Sequence, residues 1–375
     1  MTPTESASTE GASTEGAATA LGSAVIVGTG LIGTSIALAL RQRGVRVFLA
    51  DRDAGAVRLA RELGAGEDWR ADRTVDLAVI AVPPPFVAQW LLDLQKSETA
   101  RAYTDVASVK ELLIAQAAQL GCDLSTFVAG HPLAGRERSG PAAARPDLFL
   151  GRPWAFCPTP EASGPAVAAV LELIGLCGGN AVRVDAAEHD RAVAVVSHAP
   201  HVTAAAVAAR LAEASDTALG LSGQGVRDVT RIAAGDPALW TGILSGNAVP
   251  VAEVLEAVAA DLANVARSLR MLAGDGAAVA GVTELLWRGV RGTGRIPGKH
   301  GGPASTYAVV QVVIGDRPGE LARLVQAAGQ AGINIEDIRL EHAPGLPLGA
   351  ADLYVQPEAA EALAEGLRER GWQVP

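Results

Sequence analysis

The chain has 375 residues, 49% of them hydrophobic and 19% charged, with a formal net charge of −10. That length allows two or three domains with cores of their own, and the composition is that of an ordinary globular protein. The acidic balance argues against a nucleic-acid partner, and no apolar run is read as approaching the length of a membrane span.

Residues 1–22 repeat Ala7-Ser8-Thr9-Glu10-Gly11 as Ala12-Ser13-Thr14-Glu15-Gly16 and hold no aromatic or positive side chain. With no apolar segment to act as a secretory signal, and little surface to bury, they are expected to form a disordered tail on a cytoplasmic protein. From 23 to about 185, β-branched runs alternate with helical patterns, which predicts a parallel sheet with crossover helices. The predicted strands are Ser23–Val27, Val45–Ala50, Asp76–Val82, Ala102–Val106, Thr126–Gly130, Trp154–Cys157 and Ala181–Val184. From 186 to about 291 the strand signals stop and Ala/Leu/Val-rich helical stretches take over, such as Val249 to Leu272, with Pro237 and Pro250 near helix starts. Residues 292–305 are rich in Gly and Pro and read as a linker. In 306–375 the order is strand (Tyr307–Ile314), helix (Pro318–Ala331), strand (Ile333–Glu341), strand (Ala351–Gln356), helix (Pro357–Arg370) and short strand (Trp372–Val374). This β-α-β-β-α-β order is the ferredoxin-like plan. Cys122, Cys157 and Cys177 lack the spacing of a metal or redox site and read as small buried hydrophobes.

Gly28-x-Gly30-x-x-Gly33 follows the first strand and opens a helical run. Gly28 permits a tight turn, Gly30 lets a pyrophosphate approach the backbone, and Gly33 lets the helix pack on the sheet. Leu31 and Ile32 begin the helix, whose free N–H groups suit phosphate oxygens. Asp51, at the end of the second strand, is placed to accept the ribose hydroxyls of NAD, while Arg52 beside it leaves NADP open. Together these features predict a doubly wound, Rossmann-type domain. Ligands in such sheets lie outside the carboxyl ends of the strands, where this chain places Val82-Pro83, Ser108-Val109-Lys110 and His131-Pro132. His131, fixed by the following proline, is suited to take a hydroxyl proton as hydride leaves for a nicotinamide. Glu137 lies six residues on and is read as a site residue that orients His131 or bridges to the next domain.

The segment His131-Pro132-Leu133-Ala134-Gly135-Arg136-Glu137-Arg138-Ser139-Gly140 resembles the prephenate/arogenate dehydrogenase family of tyrosine biosynthesis. So do Asp105-Val106-Ala107-Ser108-Val109-Lys110 and Gly225-Val226-Arg227-Asp228-Val229-Thr230-Arg231-Ile232-Ala233, followed by Asp236-Pro237 and Trp240. Ala107, Gln224 and Val226 depart from the usual pattern, which bears on substrate selectivity. The resemblance implies oxidative decarboxylation of a cyclohexadienyl ring, with prephenate as substrate and arogenate as the alternative. Ser108 would bond the ring hydroxyl or hold His131, and His201 would line the substrate pocket. Arg227 and Arg231, at i and i+4, form a fork for substrate carboxylates, or else a surface pair bridged to Asp228 or Glu253. His198 reads as core, His189 with Asp190 as structural, and His300 and His342 carry no assigned role. No metal is implied. Residues 307–375 resemble an ACT domain, in which Gly319, Asn334 and Ile335 would frame an amino-acid site for an effector such as tyrosine. The resemblance also implies a homodimer through the helical part. Two other readings exist. A 3-hydroxyacid or 6-phosphogluconate-type dehydrogenase would need a lysine in Ala186–Arg291, which has none. A non-catalytic NAD and amino-acid sensor would leave the His131 and Arg231 motifs unexplained.

Overall fold

The computed structural model describes residues 21–135, 139–271, 279–297, 307–342 and 347–375, and Glu137 with its two neighbours lies outside them. The chain divides into two compact units, Met1–Val258 and Ala259–Pro375.

The first unit begins β1 (Ser23–Val27), α1 (Leu31–Gln42), β2 (Arg46–Ala50), α2 (Ala54–Glu62), β3 (Glu67–Asp68), β4 (Val75–Ile80), α3 (Val87–Lys96), β5 (Ala100–Asp105) and α4 (Glu111–Gln119). It continues β6 (Phe127–Pro132), β7 (Pro153–Cys157), α5 (Gly164–Leu176) and β8 (Asn180–Arg183). These strands form one sheet in the order β3-β2-β1-β4-β5-β6-β7-β8. The order reverses between β1 and β4, which opens the ligand crevice of a doubly wound sheet at the end of β1. Successive residues of the central strands serve opposite faces. Ala24, Ile26, Leu77 and Val79 pack under α1 and α5, while Val25, Val27, Ala78 and Ile80 pack under α3 and α4. Strands buried on both faces read as continuous apolar runs, which is why the sequence betrays them.

Three details depart from the sequence reading. β3 was not expected, because its two residues are charged and exposed and it only edges the sheet. β6 runs on through Pro132, so His131 sits within a strand rather than after one. β6 and β7 pair antiparallel, His131 opposite Ala155, so the sheet is not wholly parallel. Their connection holds a short 3-10 turn, Pro141–Ala143, and no crossover helix among its described residues, and a chain without a crossover returns antiparallel.

The helical part follows with α6 (Ala186–Val193), α7 (Ala199–Leu211), α8 (Asp216–Gly220), α9 (Gln224–Thr230), α10 (Pro237–Gly246) and α11 (Ala248–Met271). Asp185 caps α6 by accepting from Ala187 and Glu188 N–H. A π turn, Ala194–His198, joins α6 to α7. The resulting 26-residue helix, Ala186–Leu211, is long and apolar enough to span a membrane, contrary to the expectation from sequence. The buried side chains of this helix include His189, Asp190, His198 and His201.

In the second unit, α12 (Val279–Thr293) precedes β9 (Ala308–Gly315), α13 (Glu320–Gln330), β10 (Asp337–His342), β11 (Leu348–Val355) and α14 (Ala360–Glu369). The strands form an antiparallel sheet ordered β10-β11-β9 around Val312, Ile314, Leu324, Leu353, Val355 and Leu367. The expected last strand is a single bridge, Gln373 to Val313 on the free side of β9, so the ferredoxin-like order is kept with its fourth strand reduced to one pair.

Candidate active site

Three residues separate β1 from α1, and their geometry follows from what a side chain would strike. Gly28 has φ +103°, and a Cβ there would lie 2.3 Å from Ala81 O. At Gly33 it would lie 2.0 Å from Gly28 O, so the helix packs directly on the turn. Gly30 differs. A Cβ there meets nothing within 4 Å, and Gly30 caps α1 without a side-chain bond or any acidic residue in the first turn. The open space lies where Leu31, Ile32 and Gly33 present unshared N–H groups, a cradle that fits a pyrophosphate. Asp51 Oδ2 accepts from Thr29 N–H (2.6 Å) and Oγ1 (2.9 Å), and Oδ1 from Asp53 N–H (3.0 Å). The carboxylate thus ties the glycine turn to β2 and keeps lone pairs for a ribose diol. Arg52 is exposed beside it, its guanidinium 6.0 Å from the Phe86 ring. Val82, half-buried, and Pro83, exposed, follow β4 at the carboxyl edge of the sheet.

His131 is buried, and its Nδ1 lies 2.9 Å from His189 Nε2. His189 Nδ1 in turn lies 2.7 Å from Asp190 Oδ1. This chain fixes the tautomers. A carboxylate only accepts, so His189 carries its proton on Nδ1 and offers a bare Nε2. His131 then carries its proton on Nδ1, which leaves Nε2 with a free lone pair. Burial, and after it the nearby His189, Lys110 and His198, hold the His131 pKa well below the usual histidine range. His131 is therefore a neutral imidazole at neutral pH, ready to accept a proton on Nε2.

Asp190 does more than end the chain. It accepts from the N–H groups of Lys110 (2.9 Å) and Glu111 (2.9 Å), capping α4. Its backbone carbonyl accepts from Asn247 Nδ2 at 2.7 Å, and the same amide group lies 3.1 Å from His198 Nδ1. Burial pushes His198 down to about 4. His189 and Asp190 were read from sequence as structural, yet they stand in line behind His131, and Asn247 was not singled out at all.

Ser108 is half-buried between Asp105 and Lys110 and makes no side-chain hydrogen bond among the described residues. Of its two expected roles, holding His131 falls instead to His189. His201 is buried and stacks on Trp240, with ring centroids 3.5 Å apart and planes 12° from parallel. Gly235 is required there, because a Cβ would lie 2.5 Å from Trp240 Nε1 and 3.0 Å from His201 Cε1. Arg227 and Arg231 are exposed and one turn apart, since Arg231 N–H donates to Arg227 O where α9 passes into a 3-10 turn. α7, which carries His201, packs against both α9 and that turn. Asp228 Oδ1 accepts from Gln224 Nε2 at 2.9 Å. In the second unit, Gly319 adopts the left-handed conformation before α13. Asn334 bonds Glu336 at 2.6 Å, and Ile335 packs against the small core. A cavity of about 110 Å³ is lined by Asp316, Arg317 and Leu321 among others, and Gly319, Asn334 and Ile335 are not part of its lining.

Residues 36–183 match the family model described as prephenate dehydrogenase, nucleotide-binding domain, and residues 185–279 match that of the prephenate dehydrogenase dimerization domain. A probable prephenate dehydrogenase of Streptomyces niveus, NovF, is 44% identical over 349 residues, covering 92% of this chain and 96% of that protein. The chain belongs to the prephenate dehydrogenase family. A prephenate dehydrogenase of Bacillus subtilis (strain 168) is 31% identical over 231 residues, 58% of this chain and 62% of its own. Among solved structures, prephenate dehydrogenase from Aquifex aeolicus, in complex with hydroxyphenyl propionate and NAD+, superposes with a TM-score of 0.65 at 26% identity. It covers 73% of this chain and 99% of its own. Arogenate dehydrogenase of Synechocystis gives 0.59 at 26% identity, covering 72% and 99%. Membership of this family of oxidoreductases removes the hydroxyacid-dehydrogenase and sensor readings.

Proposed function

We propose that the protein converts prephenate to 4-hydroxyphenylpyruvate by oxidative decarboxylation, with hydride transfer to NAD, in tyrosine biosynthesis. The observation that carries this reading is the neutral His131, oriented by His189 and Asp190 so that Nε2 is its free nitrogen. The glycine turn fits NAD: Gly28, Gly30, Leu31, Ile32 and Gly33 would hold the pyrophosphate, Asp51 the ribose, and Val82 and Pro83 would face the nicotinamide. NAD, when bound, accepts the hydride. His131 Nε2 takes the proton of the ring hydroxyl as the C–H hydride leaves and the carbon–oxygen double bond forms. The ring carboxylate departs as carbon dioxide, its bonding electrons completing the aromatic ring as the carbonyl pair returns to oxygen, which takes back the proton from His131 Nε2. The positive charge gained by His131 spreads along its Nδ1–H bond toward His189 and the Asp190 carboxylate. In this reading Ser108 bonds the substrate hydroxyl, and Arg231, with Arg227, Glu137 and His201, holds the rest of the substrate.

Arogenate is the second reading, supported by the arogenate dehydrogenase among the solved relatives. The two substrates differ only by a keto or amino group on the side chain. An absorbance assay of reduced nicotinamide with each substrate and each of NAD and NADP tests both readings. Turnover of neither substrate would refute the proposal.

The working unit we infer is a cytoplasmic homodimer. Val196, Leu221 and Val249 are 71%, 81% and 70% exposed, and all three lie in the part that matches the dimerization domain. The C-terminal unit resembles an ACT domain and would bind an amino-acid effector such as tyrosine near Gly319, Asn334 and Ile335. Calorimetry of the full chain with tyrosine, the active site occupied by substrate, tests for that second site.

A further inference from the structure

Lys110 is completely buried, as is Asp105, and the chemistry above uses neither. The Lys110 ammonium donates to Asp105 Oδ2 and to the carbonyl of Gly130 at 2.8 Å. Asp105 Oδ1 accepts the Gly130 N–H at 3.1 Å, and Oδ2 accepts the Ala107 N–H at 2.8 Å. A single buried ion pair therefore holds both polar groups of Gly130, the residue immediately before His131. Gly130 has no room to shift. A Cβ on it would lie 2.9 Å from Asp105 O and 3.3 Å from Trp154 Nε1. The main chain of Lys110 reaches the other end of the histidine chain, its N–H donating to Asp190 Oδ1 at 2.9 Å. One residue is thus bonded to the peptide that carries His131 and to the carboxylate that orients His189.

We propose that Lys110 is a positioning residue for the oxidation: paired with Asp105 it fixes both ends of the His131–His189–Asp190 chain and sets the field in which His131 titrates. The proposal rests on the reading of His131 as the base. A lone carboxylate would anchor the Gly130 N–H but leave its carbonyl without a donor. The ammonium supplies that donor and neutralises the charge of Asp105. Among the described residues, the charged and titratable groups that act on His131 are His189 from α6, His198 from the π turn and Lys110 before α4, with Asp190 bonded to His189 and Asp105 of β5 bonded to Lys110. Without the ammonium, the Asp105 carboxylate would stand uncompensated near the imidazole and favour its protonated form.

The test uses the full chain with Lys110→Met, and with Lys110→Met combined with Asp105→Asn, which removes both charges. His131 titration is followed by imidazole nitrogen NMR, and kcat and KM are measured with prephenate and NAD. In Lys110→Met the His131 titration should rise by about one unit or more. Its kcat should fall roughly ten- to a hundredfold while KM for NAD stays within about twofold, as expected for a misplaced base. In the double variant the titration should return toward that of the native protein while kcat stays depressed, because the Gly130 carbonyl still lacks its donor. Should the single variant fail to fold, the double variant decides through kcat. A folded variant with His131 titration unmoved and kcat within about twofold of native overturns the proposal and leaves the ion pair a brace of the core. If the native protein turns over no prephenate, the functional reading fails, and the NMR titration still decides whether Lys110 governs His131.

Discussion

His189 Nε2 stands 2.9 Å from His131 Nδ1, two side chains 58 positions apart in sequence, one from the sheet and one from the first helix beyond it. The contact makes the base a property of two parts of the fold. Removing the second imidazole should free the His131 ring to rotate and to exchange tautomers. His189→Ala is expected to lower kcat by about one to two orders of magnitude with little change in the affinity for NAD. Asp190→Asn should act in the same direction, with an added loss of thermal stability, because Asp190 also caps α4. Stopped-flow NADH formation and a thermal melt separate the two effects.

Arg231→Ala should raise KM for substrate strongly, by about 2–4 kcal/mol of lost binding, because a carboxylate loses a charge-assisted partner. Arg227→Ala should show a smaller rise. Steady-state kinetics with prephenate check both, and an unchanged KM in Arg231→Ala would remove that residue from the substrate site.

Asp51 should make NAD the preferred cofactor, since its carboxylate bonds a ribose diol and repels a 2′-phosphate. Asp51→Ser should narrow that preference, and it should also loosen the glycine turn through the lost bonds to Thr29. The ratio of kcat/KM for NAD and NADP is the measurement. A native protein that favours NADP would assign control of the local field to Arg52.

Stability should depend on pH through the buried histidines. His131 and His198 titrate below their ordinary value in the fold, His198 at about 4. The unfolded chain therefore binds more protons as pH falls below about 6.5. Their contribution to stability is full above about pH 6.5 and is lost as pH falls from there toward 4. Denaturant melts across that range, compared with a His198→Asn variant, should show the native protein losing stability more steeply.

Much of this was legible in the sequence because local chemistry wrote it there. The glycine turn, the strands before and after it, and Asp51 follow from spacing alone. His131 follows from its motif at the carboxyl edge of the sheet. β3 escaped because two exposed charged residues carry no strand signal, and the reversal at β7 escaped because only the missing crossover helix announces it. The partnership of His131 with His189 is a contact across the fold that no periodicity encodes. Its one trace was the pairing of a histidine with an aspartate at the head of an apolar helix. Asn247 left no trace, since one amide where the chain turns from α10 into α11 looks like any turn residue until its bond to the Asp190 carbonyl is seen.

The central claim is that His131 is the base of an NAD-linked oxidation of prephenate. The most direct measurement is the single-turnover rate of NADH formation from prephenate in the native protein and in His131→Asn, with NAD binding followed separately by calorimetry. The account predicts a rate reduced by about two to four orders of magnitude with NAD affinity unchanged. A variant that forms NADH at close to the native rate would contradict it.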